Sequence, residues 1–345
     1  MGIRRLAPEF GGLPAIGHGG RWLPAAALTA ALLGLLAACG GGSSGSRPTG
    51  PTAVATPTPA PTPIPLVVVS GETGAPVAGA SVTVGSFEQT TDAAGAFTAP
   101  AGTRDDALVD VVAPGFLDRQ TTVGRAAGAG RFALWPVTSP TGLDEHFTRD
   151  IVYTSGDESG AAPLLRWRPS LGEIRVLLGT GFDPSLGRTV DNQVDAAREM
   201  NELLGGSPLY LEPEFSDEEP DSGAVIVKID ADDPICENNV LALARRFIFG
   251  NGELARSELI YCAIGETQRI NIVRHEFGHT IGLNHSGDDY DLMYPFDTSA
   301  RFTDRERLVV RLMYQRPAGN RFPDDDRSAG GTLGRALVET IVCPR

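Results

Sequence analysis

The chain has 345 residues, 41% of them hydrophobic, which is enough for more than one folded unit and argues against wholesale disorder. Its net charge of −14 excludes nucleic acid as a main partner, because phosphate binding needs a basic surface. Lys228 is the only lysine, and just five histidines occur in the whole sequence.

In chain order, Arg4, Arg5 and Arg21 precede an apolar run, WLPAAALTAALLGLLAAC, that stops at Cys39. The run is shorter than the roughly 20 residues that span a bilayer and ends in small residues. Residues 1–38 therefore read as a signal peptide rather than a permanent membrane helix. Leu36, Ala37, Ala38 and Cys39 resemble a bacterial lipobox. That resemblance implies lipidation of Cys39 and a lipid anchor to a bacterial envelope membrane or cell surface; ordinary secretion is the alternative. Residues 39–65 carry the lipidation site and a Gly/Ser- and Pro/Thr-rich stretch that reads as an extended tether. An exported chain meets an oxidising compartment, so a disulfide between Cys236 and Cys262 is expected, with Cys343 left over.

Residues 66–137 alternate short β-branched runs (LVVVS, ASVTV, ALVDVVA) with turn clusters, the spacing of a small all-β sandwich. Gly74, Pro76, Gly79, Ala80, Asp92, Gly95, Phe97 and Gly115 follow a pattern that resembles the carboxypeptidase regulatory-like (transthyretin-like) module. Such a module serves either as a spacer or as a binding surface. From about residue 145 the period changes. GEIRVLLG (172–179), GAVIVKID (223–230) and SELIYCAIG (257–265) read as strands, and residues 189–206 read as a helix closed by glycine. The acidic stretch 213–223 reads as a solvated loop. Strands interleaved with helices give an α+β domain over residues 145–318, followed by a C-terminal tail, 319–345.

Three of the five histidines fall in NIVRHEFGHTIGLNHSGDDYDLMYPF, residues 271–296. A helix from about Gln268 puts His275 and His279 one turn apart, so both rings can reach one metal ion. Its other face, Ile270, Val273, Phe277 and Ile281, is an apolar stripe for the sheet. Gly282 ends the helix and lets the chain turn back to deliver His285. Three imidazoles with an open fourth position describe a catalytic zinc site. Glu276 is then placed to act on a zinc-bound water as general base rather than to ligate.

HEFGHTIGLNHS followed by LMYP resembles the metzincin zinc metalloproteases, most closely the matrixin-like branch. The resemblance spans roughly residues 165–318 and implies a twisted mixed sheet carrying a zinc-binding active-site helix. It makes Met293 the hydrophobic floor of the site and Zn²⁺ the catalytic ion. Its upper edge strand, which would bind a peptide or protein substrate by antiparallel strand addition, falls at residues 257–265. Residues 302–315 would form the next helix, with Leu308, Arg311, Leu312 and Tyr314 packing around it. No PRCGVPD-like cysteine-switch segment lies upstream of the motif. Structural calcium is common in that branch, and Asp288, Asp289 and Asp291 offer carboxylates for it. The expectation is a multidomain, exported, membrane-anchored zinc endopeptidase that keeps intrinsic peptide cleavage when 66–137 is deleted. The competing expectation is a surface-anchored binding or adhesion lipoprotein whose zinc domain is inactive.

Overall fold

Alternating apolar and polar residues in 64–134 form seven short strands: β1 (Ile64–Ser70), β2 (Ser81–Val84), β3 (Phe87–Thr90), β4 (Ala96–Ala99), β5 (Leu108–Val112), β6 (Arg119–Thr122) and, after helix α1 (Val123–Ala129), β7 (Phe132–Leu134). They make a three-stranded sheet, ordered β4-β1-β7, and a four-stranded sheet, ordered β3-β2-β5-β6. Leu66, Val68, Val82, Phe97, Val109 and Val111 point inward into one apolar cluster. This is the period-two pattern of strands with one buried face. The structure, a computed structural model, describes residues 63–138, 143–153, 162–296, 300–327 and 337–344. Cys39, the apolar run before it and the tether lie outside these. None of the described helices is long and apolar enough to cross a membrane.

The second part begins with α2 (Glu145–Tyr153), β8 (Arg166–Trp167), β9 (Glu173–Leu178) and α3 (Gly187–Leu204). It continues through β10 (Leu209–Tyr210), β11 (Glu214–Phe215), β12 (Ala224–Ile229), β13 (Val240–Ile248), β14 (Glu253–Tyr261), α4 (Ile264–Thr267), α5 (Ile270–Thr280), α6 (Asp304–Met313) and β15 (Leu337–Pro344). The main path of its mixed sheet runs β10-β9-β12-β14-β13-β15, with β11 beside β9 and β8 beside β14. The neighbours β9, β12 and β14 are parallel, whereas β13 is antiparallel to both β14 and β15. Val176, Leu178, Val225 and Val227 share one core with Met200 of α3 and with Val273 and Phe277 of α5, so both helices are packed on the sheet. Leu177, Ala224 and Ile226 form a small apolar cluster of their own. With both sides of these strands buried, they read as unbroken apolar runs rather than as alternation.

Two expectations need correction. Residues 257–265 are not the sheet's edge: β14 lies between β12 and β13, and β13 is the strand beyond it. β13 reads VLALARRFI, and the paired arginines in its second half break the apolar pattern that would have marked a strand. Arg311 of α6 is exposed rather than packed, while Leu308 and Leu312 are buried. The acidic stretch 213–223 is mostly solvated, with Glu214 and Glu218 paired to Arg175 and Glu219 to Lys228. Cys236 and Cys262 form a disulfide, Cα–Cα 5.4 Å, fastening the turn before β13 to the end of β14. Residues 337–344, expected only as part of a tail, are a full strand of the sheet.

Candidate metal centre

α5 is oriented from both sides. Val273, Phe277 and, just past its end, Ile281 are fully buried against the sheet. On another side Arg274 pairs with buried Glu199 of α3 at 2.7 Å, and Arg307 of α6 pairs with the same carboxylate at 2.5 Å. The helix presents His275 and His279 together, with Nε2 atoms 3.1 Å apart. Gly282 ends it with φ +101°, and a Cβ there would lie on the Leu165 carbonyl oxygen. Only glycine tolerates both the angle and the approach. The returning chain carries His285 to the other two, with ring centroids 5.3 Å from His275 and 5.0 Å from His279.

Two backbone carbonyls set the chemistry of these rings. Nδ1 of His275 donates to Leu292 O at 2.7 Å, and Nδ1 of His279 donates to Leu283 O at 2.9 Å. With the ring proton held on Nδ1, each Nε2 is a bare lone pair. Two lone pairs facing each other at 3.1 Å repel unless a cation lies between them and draws both. Burial pushes the imidazoles down, His275 to about 4 and His285 to about 3, with His279 also well below the usual range. All three are therefore neutral at physiological pH, the form that binds a metal. Burial pushes Glu276 up to about 8, opposed by the nearby Cys343 thiol. Neither Glu276 oxygen has a hydrogen-bond partner of normal geometry among the described residues. A buried carboxyl with only the Cys343 thiol near it, beside three neutral imidazoles, suits a site built around a cation and a reacting molecule.

Met293 is fully buried in the same core. Its sulfur occupies the space that a Cβ on Gly278 would need, so α5 and the 291–296 turn approach closely at that glycine. Glu306 holds the turn, accepting from Met293 N at 2.7 Å, Leu292 N at 3.2 Å and Thr303 N at 2.7 Å. Asp288 and Asp291 share the Arg305 guanidinium at 2.7 and 2.6 Å, which supplies their countercharge. Asp289 is exposed.

The sequence reading missed three residues here. Glu306 was findable, because Thr303 and Glu306 have the spacing of a capping box and form one. Arg246 is fully buried and bonds Leu283 O at 3.1 Å and Asn284 Oδ1 at 2.6 Å, fixing the chain between His279 and His285. Cys343 is the third. It is a buried free thiol whose Sγ lies 3.9 Å from His279 Nε2 and 3.8 Å from His285 Nε2. The four donor atoms of His275, His279, His285 and Cys343 all lie within 4.8 Å of one another. The signal for it was the alternation in LVETIVCP, a β-strand pattern ending on the cysteine. An apolar cleft opens beside the cluster, walled by Leu241, Leu292, Tyr294 and Pro295.

No curated protein matches this sequence. The matrixin family model matches residues 135–310, just over half of the chain, from Trp135 through the three histidines and Met293 into α6. The chain therefore belongs to the matrixin family of metallopeptidases.

Proposed function

We propose that this chain is a zinc-dependent endopeptidase in which His275, His279 and His285 hold the ion and Glu276 is the catalytic base. The observation that carries the reading is the set of neutral imidazoles, with two facing Nε2 lone pairs 3.1 Å apart, beside a buried carboxyl that has no hydrogen-bond partner of normal geometry among the described residues. A zinc ion bound there supplies a Lewis acid that makes water a nucleophile near neutral pH and polarises the scissile carbonyl. Glu276 takes the proton of the attacking water and returns it to the departing amine nitrogen. With β15 displaced from it, the backbone of β13 would align an extended peptide by antiparallel strand addition, and the cleft lined by Leu241 and Leu292 would receive an apolar side chain. Met293 and Gly278 fix the floor on which both helical histidines stand. We further propose that Cys39 is the lipidation site of an exported chain, and that residues 66–137, a carboxypeptidase regulatory-like sandwich, space the peptidase from the anchor.

The test compares zinc content and peptide-library cleavage of a Cys343→Ala chain with those of Cys343→Ala/Glu276→Gln. Both should hold one zinc per chain, and the glutamine variant should lose about 10²–10⁴-fold in hydrolysis. Stoichiometric zinc with no cleavage of any peptide by Cys343→Ala would sink the reading.

A further inference from the structure

β15 has little reason to be where it is except the active site. Leu337 and Val338 are 69% and 56% exposed, and the one residue of the strand that is buried is Cys343. A strand that contributes so little to the core is not held by hydrophobic packing. It is held in three other ways. Its backbone pairs antiparallel with β13 from Ile248↔Leu337 to Ala242↔Cys343 and Val240↔Pro344, with an irregularity between Val240 and Ala242. Its Glu339 pairs with the buried Arg246 guanidinium, at 2.5 Å to Nη2 and 3.0 Å to Nε. Its Cys343 enters the histidine cluster.

Each of these has a functional counterpart. β13 would be an open edge of the sheet without β15, and an open edge is where an extended peptide adds. β15 is itself an extended peptide, lying antiparallel on that edge with one side chain delivered to the metal centre. The shortest donor–donor distances also fit, while 4.8 Å bounds the remaining pairs. A tetrahedral zinc with bonds of about 2.0–2.1 Å to nitrogen and about 2.3 Å to sulfur sets nitrogen–nitrogen edges near ~3.3 Å and nitrogen–sulfur edges near ~3.6 Å. The cluster has 3.1 Å between two nitrogens, and 3.8 and 3.9 Å from sulfur to two of them.

We propose that β15 is a built-in latch: it fills the substrate edge along β13, and Cys343 Sγ takes the fourth position on the ion held by His275, His279 and His285. The proposal rests on the zinc-peptidase reading above. The thiol binds as thiolate, so its S–H bond breaks, a sulfur–zinc bond forms and one proton passes to solvent; opening reverses all three. While the latch is shut, neither the water that Glu276 would deprotonate nor a substrate strand has a place. Proteolytic removal of β15, or a competing protein strand that displaces it, frees both. Arg246 then loses its Glu339 partner, so a displacing strand with a carboxylate at the matching position, four residues before the one at the metal, binds best.

The test uses the full chain in a Cys39→Ser background, loaded with cobalt(II) in place of zinc. The wild-type latch should give a thiolate-to-cobalt charge-transfer band, absent from Cys343→Ser at the same metal content. Glu339→Lys, which touches no metal ligand, should speed alkylation of Cys343 by iodoacetamide and weaken the band. With zinc, Cys343→Ser and a chain ending at residue 336 should each hydrolyse peptides roughly tenfold faster or more than wild type, since activity follows the unlatched fraction. Identical cobalt spectra for wild type and Cys343→Ser overturn the latch, as does equal hydrolysis by the two, and in that second case the peptidase reading stands. A charge-transfer band in the wild type with no hydrolysis by any variant instead supports Cys343 as a ligand and overturns the peptidase reading.

Discussion

At the scale of single residues, the candidate metal centre depends on two glycines as much as on its histidines. Gly278 makes room for Met293, and Gly282 turns the chain in a conformation and at an approach that a Cβ forbids. Gly282→Ala should therefore cost more than the about 1–3 kcal/mol of a strained left-handed residue, because the Leu165 carbonyl must also move. His285 lies three residues further on, so the expected result is weaker zinc binding with the helical content kept. Competition with a metal indicator, alongside far-ultraviolet circular dichroism, measures both. Gly187→Ala is the control: its φ is not in the left-handed region and a Cβ there meets nothing within 4 Å. Unchanged zinc affinity in Gly282→Ala would mean the loop can deliver His285 by another path. The gathering of these side chains in one place was the part most legible in the sequence. Spacing along one helix and one turn is local information, and His275, Glu276, His279, Gly282, His285 and Met293 all lie within 19 residues of chain. Cys343 was not legible as part of the site, because what brings it there is a strand pairing 58 residues further along.

At the scale of elements, the sequence showed which segments are helices more clearly than how the strands are arranged. α3 and α5 carry apolar faces at helical spacing and glycine stops, signals that belong to the element itself. Edge position belongs to the sheet, and Arg245 and Arg246 hid β13 because their partners are distant: Asp233 and Glu258 for the first, Glu339 and the 283–284 turn for the second. α6 shows the same dependence. Its capping glutamate, Glu306, accepts from three backbone N–H groups, two of them in the turn whose Leu292 carbonyl orients His275. Glu306→Ala would leave these donors buried without an acceptor, at about 1–3 kcal/mol each where water cannot replace it. We expect a loss near 3 kcal/mol in urea unfolding at constant m, with zinc affinity down about 10–100-fold as the ring orientation loosens. Glu306→Gln keeps an acceptor oxygen and should lose less on both counts. A stability loss with zinc affinity unmoved would separate the cap from the metal site.

At the scale of the whole molecule, the β-rich module and the peptidase are one body. The described residues fall in a single compact unit. Leu117 and Trp135 are built into the peptidase core. Arg316 and Asp324, both fully buried, pair at 2.7 Å, and Arg316 also reaches the Ala133 carbonyl of β7. Arg119 of β6 bonds Ala133 O at 2.8 Å and pairs with Asp326 at 2.9 Å, while Asn320 bridges Asp324 and Asp326. Gln120 exchanges backbone hydrogen bonds with Asp324 and Asp326, so a strap of residues 316–326 stitches β6 and β7 to α6. Two arginines and two aspartates balance in charge, and removing one member strands its partner in the interior. Asp324→Ala should thus destabilise by about 3–5 kcal/mol, whereas Arg316→Met with Asp324→Leu, which removes the pair together, should cost much less. The damage should not stay on one side of the interface. Calorimetry of the chain should show one transition, moved as a whole by Asp324→Ala, because module and peptidase share the buried network. Deletion of 66–137 removes Arg119 and Trp135 together, so the remainder should fail to fold, contrary to the cleavage-competent fragment that modular composition alone suggests. Two transitions, with the module's unmoved by Asp324→Ala, would show instead that the strap is an ornament on separable domains.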